Sequence, residues 1–318
     1  MRTVQRVEAA RRSGAARGAA ADERAGVFGR RADKEQMMRI ETRPVAFAGT
    51  AATWTAYAVE AVAGAMPGRP RPAVVICPGG GYGHLATREA EPMALAFVAR
   101  GYQAFVLRYS VEPARYPQAL CELAACVAEV RRTADTWGVD PRRVAVMGFS
   151  AGGHLAATLG ASWHEPWLAE HVGATADELR PDALVLGYPV ITSGAYAHRP
   201  SFERLCGQDA PLIEQLSIER RVDRRFPATF VWHTAADATV PVHNTLLLAG
   251  ALAEAQVPFA AHVFPYGSHG AALGTYETAL AGREDHIQQQ VQAWPDLAQL
   301  WLSELWERRD EYEEVGAR

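Results

Sequence analysis

One serine in this chain has the sequence surroundings of a nucleophile. Ser150 lies in the run GFSAGG at residues 148–153, after the apolar segment RVAVM and before the helical segment HLAATL. A sharp turn between strand and helix requires the glycines, and it exposes the serine hydroxyl at the carboxyl edge of a sheet. The helix also directs free N–H groups towards negative charge that develops nearby. The pattern predicts a nucleophile at Ser150; the alternative is a glycine-rich turn with an incidental serine.

A serine nucleophile requires a base and an acid elsewhere in the chain. The hydroxyl attacks once a histidine, held in the correct tautomer by a carboxylate, removes its proton. Asp237 follows the apolar run TFVWH and His269 follows the next one, AAHVF, which keeps the order serine, acid, histidine. Taken alone, the aspartate could cap a turn and the histidine could be structural. Of the ten histidines, His269 has both the order and the position. We therefore predict a catalytic triad of Ser150, Asp237 and His269.

Three consecutive glycines follow the first strongly apolar run, within the sequence CPGGGY at residues 77–82. Glycines let backbone amides approach a ligand without interference from side chains. A phosphate-binding loop is the alternative, but neither a Walker lysine nor a GxGxxG spacing follows. Together with Ser150, the run predicts an oxyanion-binding loop. The expected donors are the N–H groups of Gly80, Gly81 and Ala151.

The elements that must position these residues follow an α/β pattern. Short β-branched runs alternate with longer helical patterns from Val45 onward, which predicts a mostly parallel central sheet with helices on both faces. The predicted strands cover residues 73–77, 103–109, 144–148, 183–187, 229–233 and 260–264, after an antiparallel edge hairpin within 45–60. The predicted helices cover residues 91–100, 117–137, 152–159, 243–256 and 285 to about 307.

The domain organisation is predicted from the places where the alternation fails. Between residues 189 and 227 the sequence is polar and interrupted by Pro and Gly, which predicts a small cap insertion over the active face. Residues 40–318 are otherwise one domain. Residues 1–36 are rich in Ala and Arg and are predicted to be a disordered extension. Their five acidic residues oppose the alternative, a transit peptide.

Composition narrows the classes of partner. A net charge of −4 supplies no positive field, so we expect neither nucleic acid nor an anionic membrane as a partner, and the ligand is expected to be small. No apolar run approaches the roughly 20 residues that span a bilayer. The four cysteines, Cys77, Cys121, Cys126 and Cys206, lack metal-ligand spacing and are predicted to be reduced, buried thiols in a cytoplasmic protein. The oligomeric state is left open, a homo-oligomer included.

Four ordered motifs carry a family resemblance. PGGGY, the stretch YPQALCELAACVAEVRRTADTWGVDPRRVAVMGFSAGGHLAATL, HTAADATVPVHN and FPYGSHG together resemble bacterial α/β hydrolases of the acetyl-xylan esterase and feruloyl-esterase-like group, relatives of the hormone-sensitive-lipase-like esterases. The resemblance covers about residues 74–269. It implies an α/β-hydrolase fold, a nucleophile at Ser150, an acid at Asp237 and a base at His269. It also implies oxyanion amides at Gly80, Gly81 and Ala151.

Two positions depart from the pattern of this group. Pro78 stands where many relatives have a histidine before the glycines, and Ala236 stands where relatives often have a second acid beside Asp237. The glycines supply the oxyanion amides, so the first departure leaves that assignment intact. The spacing DxxVP is kept and supports Asp237 as the acid.

The resemblance implies a serine carboxylesterase that acts on short acetyl esters of a small molecule and needs no cofactor and no metal. Acetylated carbohydrates such as xylo-oligosaccharides are the expected substrates. Tyr82, Glu89 and His198, with Arg199, are the candidates to line the mouth of the site, although each could equally be a packing or loop residue. An aryl-formamidase or a small peptidase would use the same triad. A hydrolase-fold binding module without catalysis is the alternative from another class.

Overall fold

The computed structural model describes residues 38–60 and 69–309, so the predicted extension at 1–36 lies outside the described residues. Within that part, eight strands form one sheet in the order β1-β2-β4-β3-β5-β6-β7-β8. The strands are β1 Met38–Pro44, β2 Thr53–Val59, β3 Arg71–Cys77, β4 Gln103–Arg108, β5 Val139–Phe149, β6 Ala183–Gly187, β7 Thr229–Thr234 and β8 Phe259–Phe264. β1 and β2 pair antiparallel, as do β2 and β4, and the remaining pairs are parallel. The predicted fold class, an α/β protein with a mostly parallel central sheet, is confirmed.

Helices cover both faces of the sheet. The α-helices are α1 Glu91–Val98, α2 Gln118–Arg132, α3 Ala134–Trp137, α4 Ala151–Ser162, α5 Pro166–Val172, α6 Ala176–Leu179, α7 Arg199–Cys206, α8 Ala210–Gln215, α9 His243–Glu254 and α10 Trp294–Glu307. Short 3-10 helices occupy Thr87–Glu89, Ile218–Arg220, Tyr276–Thr278, Glu284–His286 and Val291–Ala293. The buried side chains of α1 and α10 join one hydrophobic cluster, and those of α2, α4 and α9 join another.

The central strands are apolar because both of their faces are covered. Along β3, Ala73, Val75 and Cys77 belong to the cluster on one face, and Val74 and Ile76 belong to the cluster on the other. All five are fully buried. A strand buried on both faces needs no alternation of apolar and polar residues, which explains the continuous run AVVIC.

The edge hairpin lies earlier in the chain than predicted. It pairs Met38 with Val59 and Pro44 with Thr53, so its first strand precedes the predicted range of 45–60. The sequence MRIETRP of that strand carries Arg39, Glu41 and Arg43, which are neighbours in an ion-pair cluster. Charged residues are typical of edge strands, where they oppose pairing with another chain. The strand therefore lacks the apolar signal on which the prediction rested.

Two predicted helices differ from the observed ones by more than three residues at one end. The helix expected over 117–137 is interrupted at Thr133, whose hydroxyl donates to the carbonyl oxygen of Glu129 and whose backbone leaves helical geometry at φ −102° and ψ 19°. The helix expected from residue 285 begins at Trp294. The amide of Gln288 donates instead to the carbonyl of Gly274. Pro295 lies in the first turn of the helix, where a backbone N–H would have no acceptor within the helix, so proline is tolerated there.

The segment at 189–227 contains α7, α8 and the turn Ile218–Arg220. Its designation as a cap remains a prediction. The four cysteines are free thiols and all are buried. Across residues 38–60 and 69–309, no helix combines the length and apolar character that a membrane span requires.

Substitution of Trp294 tests how strongly the packing of α10 against the sheet stabilises the fold. Its ring is fully buried, stacks on Trp232 of β7 with centroids 5.3 Å apart, and donates Nε1–H to the carbonyl of Ala272. We expect Trp294→Ala to lower the free energy of unfolding by about 3–5 kcal/mol, because it removes a large buried ring. Trp167, which is 36% exposed, is the matched control, and Trp167→Ala should cost no more than about 1 kcal/mol. Urea unfolding of both variants measures the difference, and equal losses would contradict this packing.

Candidate active site

The backbone of Ser150 is held in a strained conformation between β5 and α4. Its φ of 53° and ψ of −120° place it in a region that non-glycine residues rarely occupy. Three hydrogen bonds hold it there: its amide donates to the carbonyl of Gly187, and its own carbonyl accepts from His154 and Val190. These bonds join Ser150 to the end of β6, to the residues that follow β6 and to the first turn of α4, and so sustain the strain. This is the sharp strand-to-helix turn that the sequence predicts.

The close approach of α4 to the glycine loop explains the glycine at residue 152. A Cβ on Gly152 would lie 2.1 Å from the carbonyl oxygen of Cys77 and 2.5 Å from that of Pro78. Any larger side chain would push the helix away from the end of β3. The run GFSAGG therefore lets the first turn of α4 and the loop at residues 78–82 share one corner of the sheet.

Ser150, His269 and Asp237 lie in a hydrogen-bonded row, although they are far apart in the sequence. Ser150 Oγ is 2.8 Å from His269 Nε2, and His269 Nδ1 is 2.6 Å from Asp237 Oδ2. A carboxylate only accepts, so Nδ1 carries the proton and Nε2 has the free lone pair that accepts from the serine hydroxyl. This is the tautomer a general base requires. The structure thus brings the three predicted residues together.

Asp237 is fixed on both of its oxygens. Oδ1 accepts the amides of Thr239 and Val240, each at 2.9 Å, and Oδ2 faces His269 and also His233 Nε2 at 3.3 Å. Burial raises the pKa of this carboxyl, but the hydrogen bonds from His233 and His269 outweigh burial and hold it well below its usual range. Asp237 is therefore an anion wherever His269 could act as a base.

His233 is a part of the site that sequence reasoning missed. Its Nε2 lies 2.8 Å from the carbonyl of Val240, so Nε2 carries the proton and Nδ1 accepts from the hydroxyl of Thr245. The ring therefore holds the loop that carries Asp237 against α9. The sequence could have revealed His233, because it lies near the end of a buried strand and four residues before Asp237.

The polar groups of the glycine loop are occupied by partners, apart from a few amides. The carbonyls of Pro78, Gly79, Gly80 and Gly81 accept from Tyr109, Ala86, Gly83 and Arg204 respectively. The amide of Gly79 donates to Glu89. Among the residues that the structure describes, the amides of Gly80, Gly81 and Ala151 donate no hydrogen bond. Unpaired donors beside a buried serine are suited to binding a developing oxyanion.

The three candidates for the mouth of the site lie in different surroundings. His198 is half-buried beside Gly81, with Nδ1 2.8 Å from Ser201 Oγ. Burial lowers its pKa, and the nearby His269 and Arg204 lower it further. Its neighbour Arg199 begins α7 and is exposed.

Tyr82 and Glu89 do not lie at the mouth, which corrects the expectation that they contact substrate there. Tyr82 is 3% exposed, and its hydroxyl donates to His154 Nδ1 at 2.8 Å. Glu89 is 1% exposed beneath the glycine loop. Both side chains support the loop from the inside.

Neither a metal site nor the cavity at the opposite edge of the sheet belongs to this site in the described residues. In the described part of the chain, no group of three or more His, Cys, Asp or Glu side chains is placed to bind a metal ion. A cavity of about 820 Å³ is lined by residues that precede β6, β7 and β8, including Pro181, Ala228 and Pro258. It therefore lies at the amino edge of the sheet, opposite Ser150, and takes no part in this site.

Known proteins match both the sequence and the structure. Residues 63–252 match the model of the BD-FAE family. Endo-1,4-beta-xylanase B of Butyrivibrio fibrisolvens is 35% identical over an alignment of 237 residues, which covers 70% of this chain and 36% of that protein. The chain thus spans about a third of the length of that relative.

Two solved structures match over most of both chains. An acetyl ester-xyloside bifunctional hydrolase from Caldicellulosiruptor lactoaceticus is 34% identical, with a TM-score of 0.70 and coverage of 81% of this chain and 89% of that one. The carboxylesterase Cest-2923 from Lactobacillus plantarum WCFS1 is 32% identical, with a TM-score of 0.76 and coverage of 84% and 98%.

His154, beneath the site, should make stability depend on pH. Its Nε2 lies 2.9 Å from the carbonyl of Leu216, and burial lowers its pKa from 6.5 to about 4. A depressed histidine pKa means that the unfolded chain binds the proton more readily, so this stabilisation is complete above pH 6.5 and is lost as the pH falls towards 4. The loss should be on the order of 3 kcal/mol.

The measurement is the free energy of unfolding of the wild type and of His154→Gln between pH 7 and pH 4.5. The decline should be steeper for the wild type. Parallel curves for the two proteins would contradict the assignment of a buried, neutral His154.

Proposed function

The chain belongs to the BD-FAE family of α/β hydrolases, and from this premise we propose that it is a serine carboxylesterase that removes acetyl groups from small acetylated carbohydrates such as xylo-oligosaccharides. Its esterase relatives support a carboxylic ester hydrolase. The serine mechanism and the acetylated substrate are the parts that we add.

One observation carries the proposed mechanism: the unbroken row from Ser150 Oγ through His269 to Asp237, with 2.8 Å and 2.6 Å at its two contacts. The row ends in a buried anion and begins at the hydroxyl of Ser150, a residue against which the glycine loop packs at Gly79. In this row Nδ1 of His269 donates to Asp237 and Nε2 is left to accept from the serine hydroxyl, which is the arrangement that serine attack on a carbonyl requires.

The reaction proceeds through an acetyl-enzyme. His269 Nε2 takes the proton of Ser150 as Oγ bonds to the ester carbonyl carbon, and the carbonyl electrons move to its oxygen. When the tetrahedral intermediate collapses, the C–O bond to the alcohol breaks and His269 returns the proton to the leaving alcohol. Water then attacks the acetyl-enzyme with the same base, which releases acetate and regenerates Ser150. The Asp237 anion stabilises the imidazolium in each step.

The amides of Gly80, Gly81 and Ala151 are proposed to stabilise the oxyanion. Two come from the glycine loop and one from the first turn of α4, so they approach the reacting carbon from two elements. Preorganised donors of this kind typically contribute a factor of about 10² to 10³ each to the rate. Because these amides have no other partner in the described chain, no hydrogen bond within the protein needs to break before they bind the oxyanion.

The carbohydrate part of the proposal rests on the relatives and on the polar wall beside the glycine loop. One relative hydrolyses acetyl esters and xylosides, according to its name, and another is a xylanase. On this chain, His198 and Arg204 lie beside Gly81, and the hydroxyl of the buried Ser201 lies 2.8 Å from His198 Nδ1. Side chains that donate and accept hydrogen bonds suit sugar hydroxyls better than a long acyl chain. We propose that the neutral ring of His198 binds the alcohol part of the substrate.

The test is hydrolysis of p-nitrophenyl esters from acetate to octanoate, together with acetylated xylo-oligosaccharides. We expect the wild type to prefer acetate and to release acetate from the oligosaccharides. Ser150→Ala should lose at least about 10³-fold in kcat, because the nucleophile is removed. Ser303→Ala, on α10 and remote from the site, is the matched control and should retain activity.

Two results would contradict the proposal. Activity that survives in Ser150→Ala would remove the serine mechanism. A wild type that prefers octanoate, or that cleaves amides faster than esters, would exclude acetylated carbohydrates and favour a lipase-like or amide-cleaving enzyme with the same residues.

A further inference from the structure

The 3-10 turn Thr87–Glu89 lies between the glycine loop and the loop that carries His269. Its last two residues extend in different directions: Glu89 contacts the amide of Gly79, and Arg88 contacts the carbonyl of Gly270. Gly79 adjoins the proposed oxyanion donors, and Gly270 follows the proposed base. One short turn therefore contacts both halves of the site.

Glu89 is a buried carboxylate with a donor on each oxygen. Oε2 accepts the amide of Gly79 at 2.7 Å, and Oε1 accepts the hydroxyl of Tyr188 at 2.9 Å. The guanidinium of Arg88 lies 3.7 Å from Oε1. Burying a charge is costly unless hydrogen bonds and an opposite charge accompany it, and Glu89 has both. A residue in this position needs a structural reason for its charge.

The two donors explain why a carboxylate is needed. A glutamine of the same shape has one accepting oxygen and one donating nitrogen. If its oxygen faced Gly79, the Tyr188 hydroxyl would lose its acceptor; if its oxygen faced Tyr188, two donors would meet at Gly79. A buried donor without an acceptor typically costs about 1–3 kcal/mol, which the loop would relieve by moving.

Tyr188 extends the same network to the base. Its hydroxyl oxygen accepts the amide of Ala272 at 3.2 Å, and its ring packs edge-on against His269 with centroids 5.1 Å apart. Burial and, to a smaller extent, the nearby Glu89 raise the pKa of Tyr188, so the hydroxyl keeps its proton and remains a donor to Glu89. Through Tyr188 and Arg88, Glu89 is linked twice to the segment at residues 269–272.

We propose that Glu89 is a positioning residue that fixes the oxyanion amides of the glycine loop in position relative to His269. The proposal rests on the serine esterase function proposed above. Glu89 does not touch the substrate. It holds Gly79, which lies against Ser150, and so fixes the start of the segment that carries the next two amides. Arg88 and Tyr188 hold the histidine loop at a fixed separation from it.

This role makes a specific kinetic prediction. Displacing reacting groups by about 1 Å can cost on the order of 10²-fold, so Glu89→Gln should lower kcat for p-nitrophenyl acetate by about 10- to 100-fold while KM changes by less than about threefold. A trifluoromethyl ketone, which forms an oxyanion adduct with the serine, should bind more weakly by the same factor as kcat/KM. Binding of the product acetate should change little.

Glu91→Gln is the matched control. Glu91 lies two residues further along the chain and forms a partly exposed ion pair with Arg108 at 2.8 Å, remote from the loop contacts. It should leave kcat, KM and ketone affinity unchanged. Thermal unfolding of both variants, followed by circular dichroism, gives the folded fraction at the assay temperature.

The outcomes separate this proposal from a merely structural role and from the proposed function. Loss of activity that only matches a loss of folded protein, with ketone affinity unchanged per folded molecule, would overturn the positioning role. Wild-type kcat in Glu89→Gln would overturn it as well. A wild type that hydrolyses no ester would overturn the proposed function and this inference with it. If Glu89→Gln does not fold, Tyr188→Phe removes one of the two donors and should show the same selective loss at about 3- to 10-fold.

Discussion

The contact between Ser150 Oγ and His269 Nε2 is the interaction on which the rest of the site depends. It joins residues 119 positions apart and holds only if β5 and β8 end at the same edge of the sheet. The parallel registers of β5 with β6, β6 with β7 and β7 with β8 provide that alignment. A slip of two residues along one strand would move a loop by about 7 Å, more than twice the length of the contact. The continuous apolar strands therefore serve the site by fixing where each loop begins.

The site also concentrates features that are unfavourable elsewhere. Ser150 has a positive φ, Asp237 and Glu89 are buried carboxylates, and the amides of Gly80, Gly81 and Ala151 have no partner in the described chain. Each feature costs free energy. The apolar side chains buried on both faces of the sheet stabilise the fold and offset that cost. The buried charges are matched by local donors, whereas the amides are left for a ligand. This difference distinguishes the groups that hold the site from those available for chemistry.

Site residues could be predicted from the sequence where they lie in a local motif, and could not where their role depends on a partner that is distant in the sequence. The glycine loop and the turn at Ser150 are contiguous motifs, and Asp237 and His269 could be located because each follows an apolar strand. Tyr82 and Glu89 could not be placed, because their partners His154 and Tyr188 are 72 and 99 residues away and no local pattern encodes those pairs. The edge strand β1 was not predicted because its charged residues leave no run of apolar or β-branched residues to indicate a strand. The start of α10 was misplaced because 3-10 turns and a bond to Gly274 replace a first helical stretch.

The most direct test of the central claim is to find which residue reacts with a fluorophosphonate. The account expects one covalent adduct per chain, located by peptide mass mapping on Ser150, and loss of esterase activity in proportion to the fraction labelled. An adduct on another residue would contradict the assignment of Ser150 as the nucleophile. So would an unlabelled protein that still hydrolyses acetyl esters.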